Sequence, residues 1–574
     1  MKFRQLINQF FPECDLTSDI ITANPIEKRP WLTDRVSNLN ELISWPPNIF
    51  LITYSIFSYT DKYRLLVSSQ DHFDWDRGAY NDIAAVTEQL KQWVGLQISL
   101  DPVATPSQPQ NFSLSSCLRD IFGKTNLDCC IYDLMNDPKF SKSVAVITAA
   151  IDQMFSRINV CAYDSTDPVQ IGLLAKDMTR NDRNVINLSC NLPKLGYVTY
   201  KTSVPQSGLT INNLTQNLTF VDPTVQLQVI KSTTKKKLFN KKTYNVLFLP
   251  WPTEIEDNAF KASPDQPDQV MDGYFGFFEY APNKKPKLNS FLGALISAIR
   301  RAGSIDLIVL PECAVDESTY SLFKKELFKI FNKDAPTLLA GVYGEKKNVA
   351  NLSFIGETQK FETVVQAKHH RWFLDEGQLR NYNLSGTLDP GRKWWENIPV
   401  ERRKLLTLHT LNGVKLCPLI CEDLARQEPV AKAVRAIGPN LVVSLLLDGP
   451  QLSGRWPGKY SAVLSDDPGA SVLSVTALGM TLRSTGTGFA PSRAVALWSE
   501  PNGFSETIEI SNDGIGIVIE LEIDNNEMWT IDGRKENKPV LRKKTHSTIN
   551  LDENLSTVHK TRQKLMGLIN RSKV

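Results

Sequence analysis

An α/β fold is predicted for the C-terminal half of this 574-residue chain, behind a mainly helical N-terminal region. Three observations carry that reading. From residue 243 onward, short apolar runs alternate with helical stretches, the rhythm of strands and helices in an α/β domain. Before about residue 160, apolar residues recur at helical spacing instead. Between the two lies Lys231-Ser-Thr-Thr-Lys-Lys-Lys-Leu-Phe-Asn-Lys-Lys242, a solvated linker that reads as a domain boundary. The expected organisation is a helical domain over 1–165, a β-rich connecting segment over 166–242, an α/β domain over 243–540 and a polar tail over 541–574.

Asn81 to Leu96 carries an apolar stripe through Ile83, Val86, Leu90, Trp93 and Val94, and Ser143 to Ile158 another through Val144, Ile147, Ile151, Met154 and Phe155. Ile49 to Ser69 fits helix or strand. The Pro-rich stretch from Asp101 to Asn111 reads as a loop. Asp71-His-Phe-Asp-Trp-Asp matches no cation-binding loop and reads as helix capping before Tyr80. Gly196 to Val204 and Gly208 to Thr215 read as short strands or polar loops.

In the second half, Tyr244 to Leu249, Ile305 to Leu310, Thr337 to Tyr343, Val414 to Ile420, Leu441 to Leu447, Ala470 to Thr476 and Ile515 to Ile523 are strand runs. Leu288 to Ala302 is an amphipathic helix with Phe291, Leu292, Leu295, Ile296 and Ile299 on one side. Asn554 to Asn570 forms another through Leu555, Val558, Leu565 and Ile569.

Composition narrows the function. Lys plus Arg is 65 and Asp plus Glu 62, a net charge of +3 that argues against a nucleic-acid coat. No apolar run approaches the roughly 18 residues of a membrane span. Residues 1–15 lack the apolar core and cleavage site of a signal peptide, so a cytoplasmic location is expected. The nine cysteines include no C-x-x-C pair, and the six histidines form no metal-binding spacing. Reduced, mostly buried thiols follow.

Three strand ends hold ionisable residues. Leu307-Ile-Val-Leu-Pro-Glu puts Glu312 just past an apolar strand that Pro311 is expected to end. Lys368 follows Val364-Val-Gln-Ala. Cys421 follows Leu416-Cys-Pro-Leu-Ile, where a strand gives way to a helix. Each alone is also what an ordinary loop start looks like.

Together they resemble the nitrilase superfamily, the carbon–nitrogen hydrolases. Ile305-Asp-Leu-Ile-Val-Leu-Pro-Glu is similar to that family's first motif, Lys368-His-His-Arg-Trp-Phe-Leu-Asp-Glu376 to its second and Leu419-Ile-Cys-Glu-Asp-Leu to its third, in the family's order. The resemblance covers about Thr243 to Arg534. It implies a four-layer α-β-β-α sandwich, a Glu312-Lys368-Cys421 catalytic triad with Glu376 as a further glutamate, and no metal or organic cofactor. Two departures stand out. The gap between Lys368 and Cys421 is longer than usual and contains Asp389-Pro-Gly-Arg-Lys-Trp-Trp, an insertion expected to shape the pocket. Leu-Asp-Glu-Gly stands where Phe-Gly-Glu is common.

The chemistry accounts for these residue types. A thiol near pKa 8.5 needs a base or a positive field, supplied by Glu312 and Lys368. Lys368 meets the oxyanion, with the backbone N–H of Glu422, at the start of the next helix, as second donor. The resemblance thus implies an amidase or nitrile hydrolase working through a thioester on Cys421. It also implies a homodimer or larger assembly through Gln427 to Ile437 and Gly454 to Leu464. His369 and His370 read as pocket wall, and Cys313 and Cys417 as packing. The alternative is a regulatory protein, such as a phage-defence effector, that uses this domain for binding and docks a protein partner through residues 1–242. An acyltransferase shares all the residues and ranks last.

Overall fold

The computed structural model describes the chain except residues 19, 21–34, 70–72, 74, 99–113, 157, 159–169, 174–186, 233–241, 268–270, 272, 400–402, 489, 552–556 and 573–574. The Pro-rich stretch and most of the lysine run lie outside the described residues, as does half of the Asp71–Asp76 segment. The chain forms two compact units. One comprises Met1–Val229, Ala433–Gly438 and Glu527–Lys538. The other comprises Ile230–Lys432, Pro439–Asn526 and Pro539–Val574.

The first unit is built around the helix Pro138–Met154, packed by Pro46–Thr60, Arg77–Ile98 and Leu114–Phe122. Asp137 caps the central helix by accepting from the N–H groups of Lys139 and Phe140, with Pro138 at the first helical position. Ile49 to Ser69, open between helix and strand, begins inside the helix Pro46–Thr60, ended by Asp61 in the left-handed conformation. Tyr197–Tyr200 and Leu218–Val221 pair antiparallel. A buried carboxylate joins these parts. Asp152 accepts the backbone N–H groups of Gln216, Asn217 and Leu218 at 2.7–2.9 Å and pairs with Arg534 at 2.9 Å.

The second unit has mixed α/β content with several sheets. In one sheet the strands run in the order Phe361–Ala367, Lys347–Ile355, Thr337–Gly344, Leu307–Asp316, Thr243–Phe248, Gly516–Trp529 and Lys535–Ile549. Thr243–Phe248, Leu307–Asp316 and Thr337–Gly344 are mutually parallel. Their unbroken apolar runs bury both faces. Val246, Leu307, Val309 and Leu339 enter one hydrophobic cluster. The alternate residues Leu247, Ile308, Leu310 and Leu338 enter another, with residues of the helices Leu288–Ala302, Glu317–Phe331 and Val558–Ser572. Phe291 and Phe323 stack there at 4.1 Å between centroids.

A second sheet runs Ser505–Glu509, Ala494–Ser499, Ser471–Thr476, Leu441–Leu446, Lys415–Ile420, Lys404–His409, Gln226–Lys231. Its residues Leu416, Leu441, Val443, Leu445 and Leu473 share the first cluster with the other sheet. Lys415–Ile420 and Leu441–Leu446 are parallel, with Ile420 opposite Leu445. A third, four-stranded sheet joins Phe373–Leu374, Lys393–Glu396, Phe275–Tyr280 and Phe260–Ala262. The long segment between Lys368 and Cys421 supplies two of its strands. Phe278, Tyr280, Trp394 and Glu396 are buried there, while Trp395 faces out.

Pro311 does not end its strand. The strand Leu307–Asp316 runs through it, because pairing with Thr337–Gly344 resumes at Val315 and Val342 after a register shift that begins at Leu310. Glu312 and Cys313 occupy this bulge, and Cys313 has φ +52°. Gly341 makes the bulge fit. A Cβ there would come within 2.3 Å of the Pro311 carbonyl oxygen and 2.5 Å of the Glu312 Cα.

Candidate active site

The described residues bring Glu312 and Lys368 into direct contact. The bulge turns the Glu312 side chain toward the end of Phe361–Ala367, where Lys368 begins the next loop. Lys368 Nζ donates to Glu312 Oε1 at 2.7 Å and to Glu396 Oε2 at 2.5 Å. Asn348 Nδ2 donates to the same pair of carboxylates, at 2.7 Å to Glu312 and 2.5 Å to Glu396. The Leu447 backbone N–H completes the set, donating to Glu312 Oε2 at 2.6 Å. All of these side chains are buried.

Cys421 stands where the strand Lys415–Ile420 ends, with φ +48°. A non-glycine residue in this region carries strain that the surrounding fold must hold. The segment after it is a four-residue 3₁₀ turn, Cys421–Leu424, and not the helix expected from sequence. Glu422 lies in that turn, and its side chain pairs with Arg426 at 2.6 Å. Asp423 ties the turn to the Lys368 loop. Its two carboxylate oxygens accept the His369 N–H at 3.1 Å each, and one lies 2.9 Å from His370 Nδ1. His369 and His370 thus hold loops together near Cys421.

Glu376 is elsewhere. It occupies the first turn of the short helix Glu376–Asn381, its side chain is 66% exposed, and it pairs with Arg380 at 3.0 Å. The second carboxylate beside Lys368 belongs to Glu396. Asp375, just before Glu376, caps that helix by accepting the Gln378 N–H and so turns Glu376 outward. Sequence reasoning passed over Glu396 and Asn348. One signal existed for Glu396: a carboxylate closing a short aromatic strand, Lys-Trp-Trp-Glu, the same kind of placement that drew attention to Glu312.

Electrostatics set the resting state. Burial pushes the Glu312 carboxyl above the usual range; Lys368 pulls it back and Glu396 adds to the rise. Burial disfavours a charged Lys368, but Glu312, Glu396 and Cys421 outweigh it and hold the ammonium well above its ordinary pKa. Burial first, then the Glu312 charge, raises the Cys421 thiol well above its ordinary value, with Lys368 opposing. Burial thus favours the neutral Cys421 thiol, and the Lys368 ammonium, shared by two carboxylates, acts on it electrostatically. Among the described residues, no cluster of three or more His, Cys, Asp or Glu side chains is arranged to hold a metal ion. No helix among them is long and apolar enough to cross a membrane.

Solved structures of an amidase, a nitrilase-superfamily member and an NAD+ synthetase are similar to part of this chain. An amidase from Nesterenkonia sp. is 11% identical over 56% of this chain and 97% of its own, with a TM-score of 0.28. Nit3 of Saccharomyces cerevisiae, a member of branch 10 of the nitrilase superfamily, is 16% identical over 58% and 96%, with a TM-score of 0.26. A glutamine-dependent NAD+ synthetase from Acinetobacter baumannii is 12% identical over 50% of this chain, which spans 46% of that protein, with a TM-score of 0.28. No family model matches the sequence, and no curated protein matches it.

Proposed function

We propose that this chain hydrolyses a non-peptide carbon–nitrogen bond, in an amide or nitrile, through a thioester on Cys421. One observation carries the reading. A buried lysine is held by two buried carboxylates, 2.7 Å from Glu312, in electrostatic reach of a cysteine at a strained strand end. A purely structural ion pair does not call for a second carboxylate, and burying three charges is costly unless they serve one another or a reaction.

On this reading the Cys421 thiol gives its proton to Glu312 as sulfur attacks the carbonyl carbon. The oxyanion forms against Lys368 Nζ and the Glu422 backbone N–H. The carbon–nitrogen bond breaks as Glu312 returns the proton to the departing amine, leaving the acyl group on sulfur. Water, deprotonated by Glu312, attacks the thioester; the acid leaves and the proton returns to sulfur. Glu396 keeps Lys368 charged and raises the basicity of Glu312, and it stands beside Lys368 where the resemblance implied Glu376 as the further glutamate. The same reading includes the four-layer sandwich, with the two large sheets face to face beneath outer helices, and a homo-oligomer.

Intact-protein mass spectrometry after incubation with a panel of amides and nitriles tests it. An acyl adduct on Cys421, absent from Cys421→Ala, supports the reading. Wild-type biological activity in Cys421→Ala would move the assignment to a binding module.

A further inference from the structure

Asp448 follows Leu447, the residue whose N–H holds Glu312. The strand Leu441–Leu446 runs parallel to the strand that ends at Cys421, so Asp448 leaves the sheet beside the proposed nucleophile. Its carboxylate is buried. Oδ1 accepts the Tyr382 hydroxyl and, at 3.1 Å, Arg455 Nη2. Oδ2 is equally buried and has no hydrogen-bond partner among the described residues.

Thr476 pins the Asp448 backbone on both sides, accepting its N–H at 3.1 Å and donating to its carbonyl at 2.6 Å. A buried carboxylate oxygen left without a donor is an expensive feature, and native proteins keep few of them. The charges nearby point the same way. Glu312, Glu396 and Asp448 supply three carboxylates, against the two cations Lys368 and Arg455.

We propose that Asp448 Oδ2 binds the ammonium group of the substrate, and that the enzyme prefers amides with a primary amine on the acyl side. The inference rests on the hydrolase reading for the word substrate, but its test is a binding measurement. A charge-assisted hydrogen bond of this kind is worth about ten- to a hundredfold in affinity.

The full-length Cys421→Ala protein is titrated calorimetrically with three pairs of ligands: glycinamide and acetamide, β-alaninamide and propionamide, 4-aminobutanamide and butanamide. The expected result is at least tenfold tighter binding of the amine in one pair, falling to within about threefold in Cys421→Ala/Asp448→Asn. No preference in any pair, no binding of any amine, or a preference that survives Asp448→Asn overturns the proposal. The first measurement needs no Asp448 variant, so misfolding of that variant does not shield the idea. The hydrolase reading is judged separately, by the Cys421 adduct. Amine preference without an adduct keeps the binding site and sinks the hydrolase, while an adduct formed equally from both members of each pair does the reverse.

Discussion

Leu447 donates its backbone N–H to Oε2 of Glu312 at 2.6 Å, so the chain leaving the strand beside the one that ends at Cys421 also holds Glu312. A main-chain donor cannot rotate away as a side chain can. With Lys368 and Asn348 on Oε1, the Glu312 carboxylate is fixed from both ends.

Removing the nucleophile is the most direct test. Cys421→Ala is expected to abolish turnover and Cys421→Ser to be nearly as damaging, because a carboxylate deprotonates a hydroxyl far less readily. Glu312→Gln and Lys368→Met are each expected to lower kcat by about a hundredfold or more. Cys417→Ala, a buried thiol within the strand, should leave kcat within a few-fold. Steady-state kinetics of the purified variants checks all five.

Glu396 raises the Glu312 pKa through its charge, and it competes for Lys368. Glu396→Gln removes both effects, so the Glu312 pKa falls. The base stays ionised to lower pH, and the acid limb of kcat/KM moves toward acid relative to wild type. A limb that stays put or moves toward neutrality counts against Glu396 as the group that tunes the base.

Gly341→Ala would place a methyl group within 2.3–2.6 Å of backbone atoms of Pro311, Glu312 and Cys313. None of those atoms can rotate aside. The bulge must shift, costing about 1–3 kcal/mol of stability and drawing Glu312 away from Lys368. Loss of activity larger than the fall in melting temperature explains is the expected pattern; an unchanged kcat argues that the bulge does not set the base.

Asp152→Ala leaves Arg534 buried beside only Asp532 and removes the acceptor for three backbone N–H groups. Breaking a buried pair in this way costs about 3–5 kcal/mol. Urea unfolding followed by circular dichroism should show a clear loss, and a midpoint equal to wild type would contradict it.

What the sequence made legible follows from how local the signal is. Glu312, Lys368 and Cys421 each come directly after an apolar run, so the strand-end placement of Lys368 and Cys421 can be read from neighbours along the chain, while Glu312 sits in a bulge inside its strand. Glu396 reaches Lys368 because Lys393–Glu396 pairs in parallel with Phe275–Tyr280, more than a hundred residues earlier. No local pattern carries such a pairing. Pro311 marked the end of a strand by its missing N–H, yet the bulge absorbs the proline and the strand continues. Glu376 came in only with the family resemblance, and a helix cap one residue earlier leaves it exposed. The helical stripes of the first unit were visible by period, but the Asp152–Arg534 pair spans 382 positions and leaves no trace in either neighbourhood.

The four-stranded sheet that carries Glu396 contains neither Cys421 nor Glu312. Chemistry and its fine adjustment are thus written on separate pieces of the chain. On the proposed reading the strand Lys393–Glu396 can be redesigned while the bulge at Glu312 and the turn at Cys421, held by Lys415–Ile420 and by His369 and His370, keep their own supports. In an engineered relative, that piece would work as an interchangeable part. Grafting a different strand in place of Lys393–Glu396 would reset the pH at which the base is ready, without rebuilding the nucleophile.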